Sequence, residues 1–118
     1  MNGAASVVIV VVALLHLYFL VLEMFLWDKP LGRRVFRLSP EFATASRTLA
    51  ANQGLYNGFL AAGLLYALSL GDAGRSIKIL FLVFVIVAGI FGALTVNRRV
   101  FWIQSAPAGL ALLLLCLS

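Results

Sequence analysis

Four apolar runs, separated by short polar stretches, account for nearly the whole chain. The first covers residues 4–27 and carries no formal charge before Glu23. As a helix it would extend roughly 36 Å at about 1.5 Å per residue, enough to cross a hydrocarbon layer with some tilt. Residues 28–34, DKPLGRR, break the pattern, and Pro30 and Gly32 are expected to end the helix and turn the chain. Ser39, Pro40 and Glu41 form a helix start: a capping hydroxyl, a proline at the first helical position and an acid in the first turn. The second helix is therefore predicted over residues 40–70. Its first ten residues are amphipathic, and the membrane span itself begins near residue 50.

GDAG, residues 71–74, reads as a tight turn. The third span is predicted over residues 76–96, the NRR triplet 97–99 as a short connection, and the fourth span over residues 100–117. Pro107 falls inside this last run and should kink it or mark its true beginning. The alternative leaves residues 100–105 at the interface and shortens the fourth span. Nothing along the chain suggests a soluble domain, a linker or an internal repeat. The expected fold is all-α: a single domain forming a four-transmembrane-helix bundle.

Composition points the same way. The chain has 118 residues, of which 64% are hydrophobic and 11% charged, and its mean hydropathy is +1.09. Soluble domains carry about a quarter of their residues as charges, so lipid is the solvent that suits this chain. The net charge of +5 does not suggest nucleic acid, because the basic residues sit in the gaps between apolar runs. Lys29, Arg33, Arg34, Arg37 and Arg47 follow the first span, and Arg98 and Arg99 follow the third. Arg75 and Lys78 lie on the opposite side. The positive-inside rule then makes the first loop cytoplasmic and puts both termini on the non-cytoplasmic side, with a bacterial inner membrane as the expected location. The start, MNGAAS, lacks the basic region of a secretory signal, so the first run is read as a retained helix. Anionic lipid is a natural contact for the basic loop.

Little catalytic chemistry is available. Cys116 and His16 are the only cysteine and the only histidine, so neither a disulfide nor a zinc or other metal centre is expected, and no cofactor motif is present. Glu23 stands out instead, as a carboxylate within a span. Such residues are costly to bury and face partners. His16, Glu23 and Trp27 lie on one helical stripe. On the second helix Asn52, Gln53 and Asn57 supply three amides within six residues, and Asn52 shares a face with Tyr56. Amides in lipid need hydrogen-bond partners. Glu23, Arg47, Asn52, Gln53, Tyr56 and Asn57 are thus the candidate lining of one polar pocket. The rival is a structural hydrogen-bond network between helices. Gly54 and Gly58 form GxxxG, and Ala88, Gly89, Gly92 and Ala93 form a second small face. Both suit close helix packing or homo-oligomerisation.

Three segments, LEMFLW (residues 22–27), F-x-L-S-P-E-F-A (36–43) and LAANQGLYNGFLAAGL (49–64), resemble the small bacterial and fungal membrane proteins grouped as domain of unknown function 1304. The resemblance runs across essentially the whole chain. It implies a four-span membrane protein with Glu23, Asn52, Gln53, Tyr56 and Asn57 inside its motifs, and it implies no substrate. A weaker similarity, carried by Arg47 and Asn52, is to the membrane-associated eicosanoid and glutathione metabolism proteins. Their motif has an acid after the asparagine, where this chain has Gln53, Leu55 and Tyr56. Three functions stay open: an oligomeric carrier, channel or accessory subunit; a membrane enzyme on a lipophilic substrate, with a cytoplasm-facing site; and a structural subunit without a ligand.

Overall fold

The computed structural model describes residues 3–118. The chain is all-α. Its helices are α1 (Gly3–Phe25), α2 (Pro30–Phe36), α3 (Pro40–Ser69), α4 (Arg75–Thr95) and α5 (Ala106–Cys116), with a 3₁₀ turn at Gly71–Gly74 and a π turn at Phe101–Ser105. Among the described residues, two stretches are long and apolar enough to cross a membrane: Gly3–Phe25, and Gly71–Thr95, in which the 3₁₀ turn runs into α4. α3 has the length, at 30 residues, but Asn52, Gln53 and Asn57 interrupt its apolar character. The last apolar helical stretch, Phe101–Cys116, is shorter.

Large apolar side chains crowd the surface. Leu94 is 81% exposed, Leu49 75% and Phe91 67%. Scattered apolar residues are normal on a soluble protein, but so many large ones mark a surface that meets lipid or another chain.

The residues form two compact units. One is Leu14–Ala61; the other joins the chain up to Ala13 with Ala62–Ser118. In the first unit, the loop after α1 differs from the simple turn expected at residues 28–34. The chain turns at residues 26–29, with Lys29 N–H donating to the Leu26 carbonyl at 3.0 Å, and then forms α2. Pro30 opens this helix, because a first-turn N–H has no intrahelical partner to lose. Gly32 lies so close to the backbone of α1's end that a Cβ would meet the Leu26 oxygen at 2.0 Å. α2 ends at Arg37, whose backbone is left-handed (φ 57°) and whose N–H donates to the Arg33 carbonyl. α3 begins at Pro40, and the Ser39 hydroxyl accepts from the Phe42 N–H at 3.2 Å, as an N-cap does.

In the second unit, the small face of α4 is used within the chain. A Cβ on Gly89 would lie 2.1 Å from Ser105 Oγ, and one on Gly92 would lie 2.7 Å from a Val100 methyl. Ser105 Oγ donates to the Ile86 carbonyl at 2.8 Å. Arg75 Nη1 donates to the Leu115 carbonyl at the end of α5, at 2.9 Å. Lys78 is buried and donates to the Gly71 carbonyl at 2.9 Å. Pro107 does not kink a continuous helix. The backbone widens into the π turn just before it, with Ala106 N–H donating to the Phe101 carbonyl, and α5 starts anew with the proline in its first turn. A wide turn there removes the clash and the missing donor that proline would bring to a helix interior.

Candidate functional site

The polar groups of interest lie in the Leu14–Ala61 unit, where the second half of α1 meets the first half of α3. On α1, His16 and Glu23 are buried; a step of seven residues keeps them on one stripe. On α3 the buried stripe is Ala43, Ala50, Gly54, Asn57 and Ala61. Gly54 and Gly58 let the helices approach. A Cβ on Gly54 would lie 2.7 Å from Met24 Cγ and 3.2 Å from the Leu20 carbonyl oxygen, and one on Gly58 would lie 2.7 Å from Leu20 Cδ1. The GxxxG row therefore packs against α1 of its own chain.

That approach brings Asn57 onto Glu23. The Asn57 side-chain amide donates to Glu23 Oε1. Glu23 is 9% exposed and Asn57 5%. A buried carboxylate and a buried amide each need a partner, and here they meet in one bond. His16, two turns earlier, is fully buried, with its ring edge-on to Phe19 at 5.7 Å.

The other candidates are distributed differently from a single pocket. Arg47 pairs with Asp28, its Nη1 3.5 Å from Asp28 Oδ2. Asn52, Gln53 and Tyr56 are exposed, and Tyr56 stacks edge-on against Phe59. The cause is rotational. Successive helix residues turn by about 100°, so with Gly54 and Asn57 against α1, Asn52 and Tyr56 project to the far side and Gln53 to the flank. Of the six residues, Glu23 and Asn57 come together and the remaining four do not join them.

Three further contacts have no counterpart in the sequence expectations. Trp27 Nε1 donates to Ser46 Oγ at 2.9 Å, and Ser46 Oγ donates to the Phe42 carbonyl at 2.6 Å. The Phe36 ring of α2 packs on Trp27 at 4.9 Å. Ser46 could have been singled out, because it falls between Ala43 and Ala50 on the buried stripe of α3. Beside this contact a cleft of about 350 Å³ opens to the outside. Met24, Phe25 and Ala51 give it apolar walls, and Asp28, Lys29 and Arg47 give it charged ones.

The family model described as "Protein of unknown function (DUF1304)" matches residues 10–116, a range that holds both the Glu23–Asn57 pair and the cleft. The chain belongs to this family. Among curated proteins it is similar to the uncharacterized protein YpaA of Lactococcus lactis subsp. lactis (strain IL1403), with 36% identity over 104 residues, covering 86% of this chain and 87% of that one. No solved structure matches it. The description of the DUF1304 family names no activity.

Proposed function

We propose that the chain is a four-span integral membrane protein that works as a non-catalytic subunit of a homo-oligomer, in the class of small carriers, channels and accessory subunits. α1 and α4 supply two spans. α3, about 45 Å long at 1.5 Å per residue, would cross with its last twenty residues or so. The Phe101–Cys116 stretch would cross as a short span, at the modest cost of local bilayer thinning. The basic loop after α1 and the Arg98–Arg99 pair would then face the cytoplasm, with both termini outside. In a bacterium this is the inner membrane.

One observation carries the reading. Glu23 and Asn57 satisfy each other inside the chain, whereas Asn52, Gln53 and Tyr56 are left on an exposed face of a helix otherwise suited to lipid. An amide both donates and accepts, so a two-fold related copy offers each of these groups a partner, which hydrocarbon does not. A transport path would then form between copies, since one chain of this size has little interior. The enzyme reading is weaker, because of the six candidate pocket residues only Glu23 and Asn57 meet, and they satisfy each other.

The test is cross-linking in native membranes. With Cys116 changed to serine, Asn52→Cys and Tyr56→Cys should give dimers with a short bifunctional maleimide, and Val87→Cys on α4 should not. Monomers at positions 52 and 56 would remove the oligomer reading. Flux assays in vesicles with Asn52→Ala, at the interface between copies, then separate a carrier from an accessory subunit.

A further inference from the structure

We propose that the cleft between the end of α1 and the start of α3 is a lipid site that seats the phosphate headgroup of an anionic phospholipid. The inference rests on the membrane orientation proposed above, which places this end of α1 at the cytoplasmic headgroup layer. It does not rest on oligomerisation.

The cleft has the two-sided chemistry that such a lipid requires. Met24, Phe25 and Ala51 offer apolar surface on the membrane side, while Lys29 and Arg47 stand at the polar side. Trp27 also lines the cleft, with its ring nitrogen committed to Ser46 and one side of its ring packed on Phe36, at the depth where tryptophans gather in the proposed orientation. Arg47 has unused capacity. Its contact with Asp28 is 3.5 Å and involves Nη1, long beside the 2.7–2.9 Å of a strong charge-assisted bond. A guanidinium carries five N–H groups in a fork that fits phosphate oxygens. Asp28 and Arg47 both line the cleft, and their contact engages only one of the guanidinium nitrogens.

Charge complementarity selects the occupant. Between residues 28 and 47 the chain has five basic side chains against Asp28 and Glu41, so the field around the cleft attracts anions. The volume, about 350 Å³, accommodates a headgroup and the first part of its chains, with the remainder of the lipid staying in the bilayer. A soluble phosphate would fill only the charged side and leave Met24, Phe25 and Ala51 without a partner.

Tryptophan quenching tests the proposal in the full-length protein. Trp102→Phe leaves Trp27 as the single reporter. The protein is reconstituted in phosphatidylcholine vesicles that contain either brominated phosphatidylglycerol or brominated phosphatidylcholine at equal mole fraction. Phosphatidylglycerol is expected to quench more strongly. Arg47→Gln and Lys29→Gln should each reduce that preference about fivefold, the worth of one cation near an anionic lipid surface. Arg47→Lys should keep most of it, and Arg34→Gln with Arg37→Gln, outside the cleft, should reduce it less than Arg47→Gln alone. Equal quenching by the two lipids would overturn the site. So would a loss of preference in the Arg34/Arg37 variant as large as in Arg47→Gln, because that is general surface attraction. Relief of the quenching by excess inorganic phosphate would assign the cleft to a soluble anion and overturn the lipid. Absence of quenching by both lipids would show that Trp27 does not reach the bilayer, and the proposed orientation would fall along with the site.

Discussion

The Asn57 amide donates to the Glu23 carboxylate across the contact between α1 and α3, joining residues 34 positions apart in the chain. Both groups are buried, so removing one strands the other. Glu23→Ala should cost about 1–3 kcal/mol, the usual penalty for leaving a buried polar group unpaired. Glu23→Gln retains an acceptor and should cost less. The paired change Glu23→Leu with Asn57→Leu should recover most of the loss. Unfolding in mixed detergent measures all three. A paired variant no more stable than Glu23→Ala would mean that a stranded Asn57 amide is not what the single change costs.

Gly54 and Gly58 are four residues apart on the same face of α3, yet they should respond differently to alanine. At Gly54 the new methyl would meet Glu23 Cβ and the Leu20 carbonyl oxygen as well as Met24. Backbone cannot give way, so Gly54→Ala should push the helices apart and cost about 1–3 kcal/mol, as overpacking does. At Gly58 the obstacle is the tip of the Leu20 side chain, which can change rotamer, and the cost should stay below about 1 kcal/mol. The same unfolding assay ranks them.

A second glycine pair tests the region around Pro107. Gly89→Ala should be destabilising by about 1–3 kcal/mol, because its Cβ would lie 2.1 Å from Ser105 Oγ and 2.8 Å from the Ser105 backbone nitrogen. Gly109, within α5, has nothing within 4 Å of its missing Cβ. Gly109→Ala should therefore stabilise by roughly 0.5–1 kcal/mol through helix propensity. If both changes destabilise equally, the packing described for α5 is incorrect.

Arg37 ends α2 in a left-handed backbone conformation, φ 57° and ψ 51°. That conformation costs an L-residue with a side chain about 1–2 kcal/mol relative to glycine. Arg37→Gly should raise stability by about 1 kcal/mol, and Arg37→Asn by less. A thermal melt of the three proteins in one detergent checks the order. A loss of stability in the glycine variant would mean that the arginine side chain contributes more than its backbone costs.

The site was legible in the sequence to a limited depth. Glu23 and Asn57 were both marked, because a carboxylate and an amide in apolar helices must find partners. That they choose each other is not legible there, since Asn52, Gln53 and Asn57 all have the right chemistry and the sequence puts Asn52 and Gln53 near the depth of Glu23 as well. Only the rotation of α3 about its axis separates them, and that rotation depends on where Gly54 fits against Leu20. The Asp28–Arg47 and Trp27–Ser46 contacts were missed for a related reason: they depend on how the loop folds back, and an unexpected helix, α2, sets that path.

By itself the sequence determined that the chain is helical and rich in apolar surface, because runs of apolar residues bounded by proline, glycine and charge are local signals that need no partner to be read. It also determined which residues carry polar chemistry. Tertiary structure alone decided which of these meet. Side chains on a helix point in every direction around its axis, and the close approach permitted by Gly54 and Gly58 buried Asn57 against Glu23 while leaving Asn52, Gln53 and Tyr56 outside. The same approach, with α2 folded back onto Trp27, shaped the cleft that Arg47 and Lys29 border.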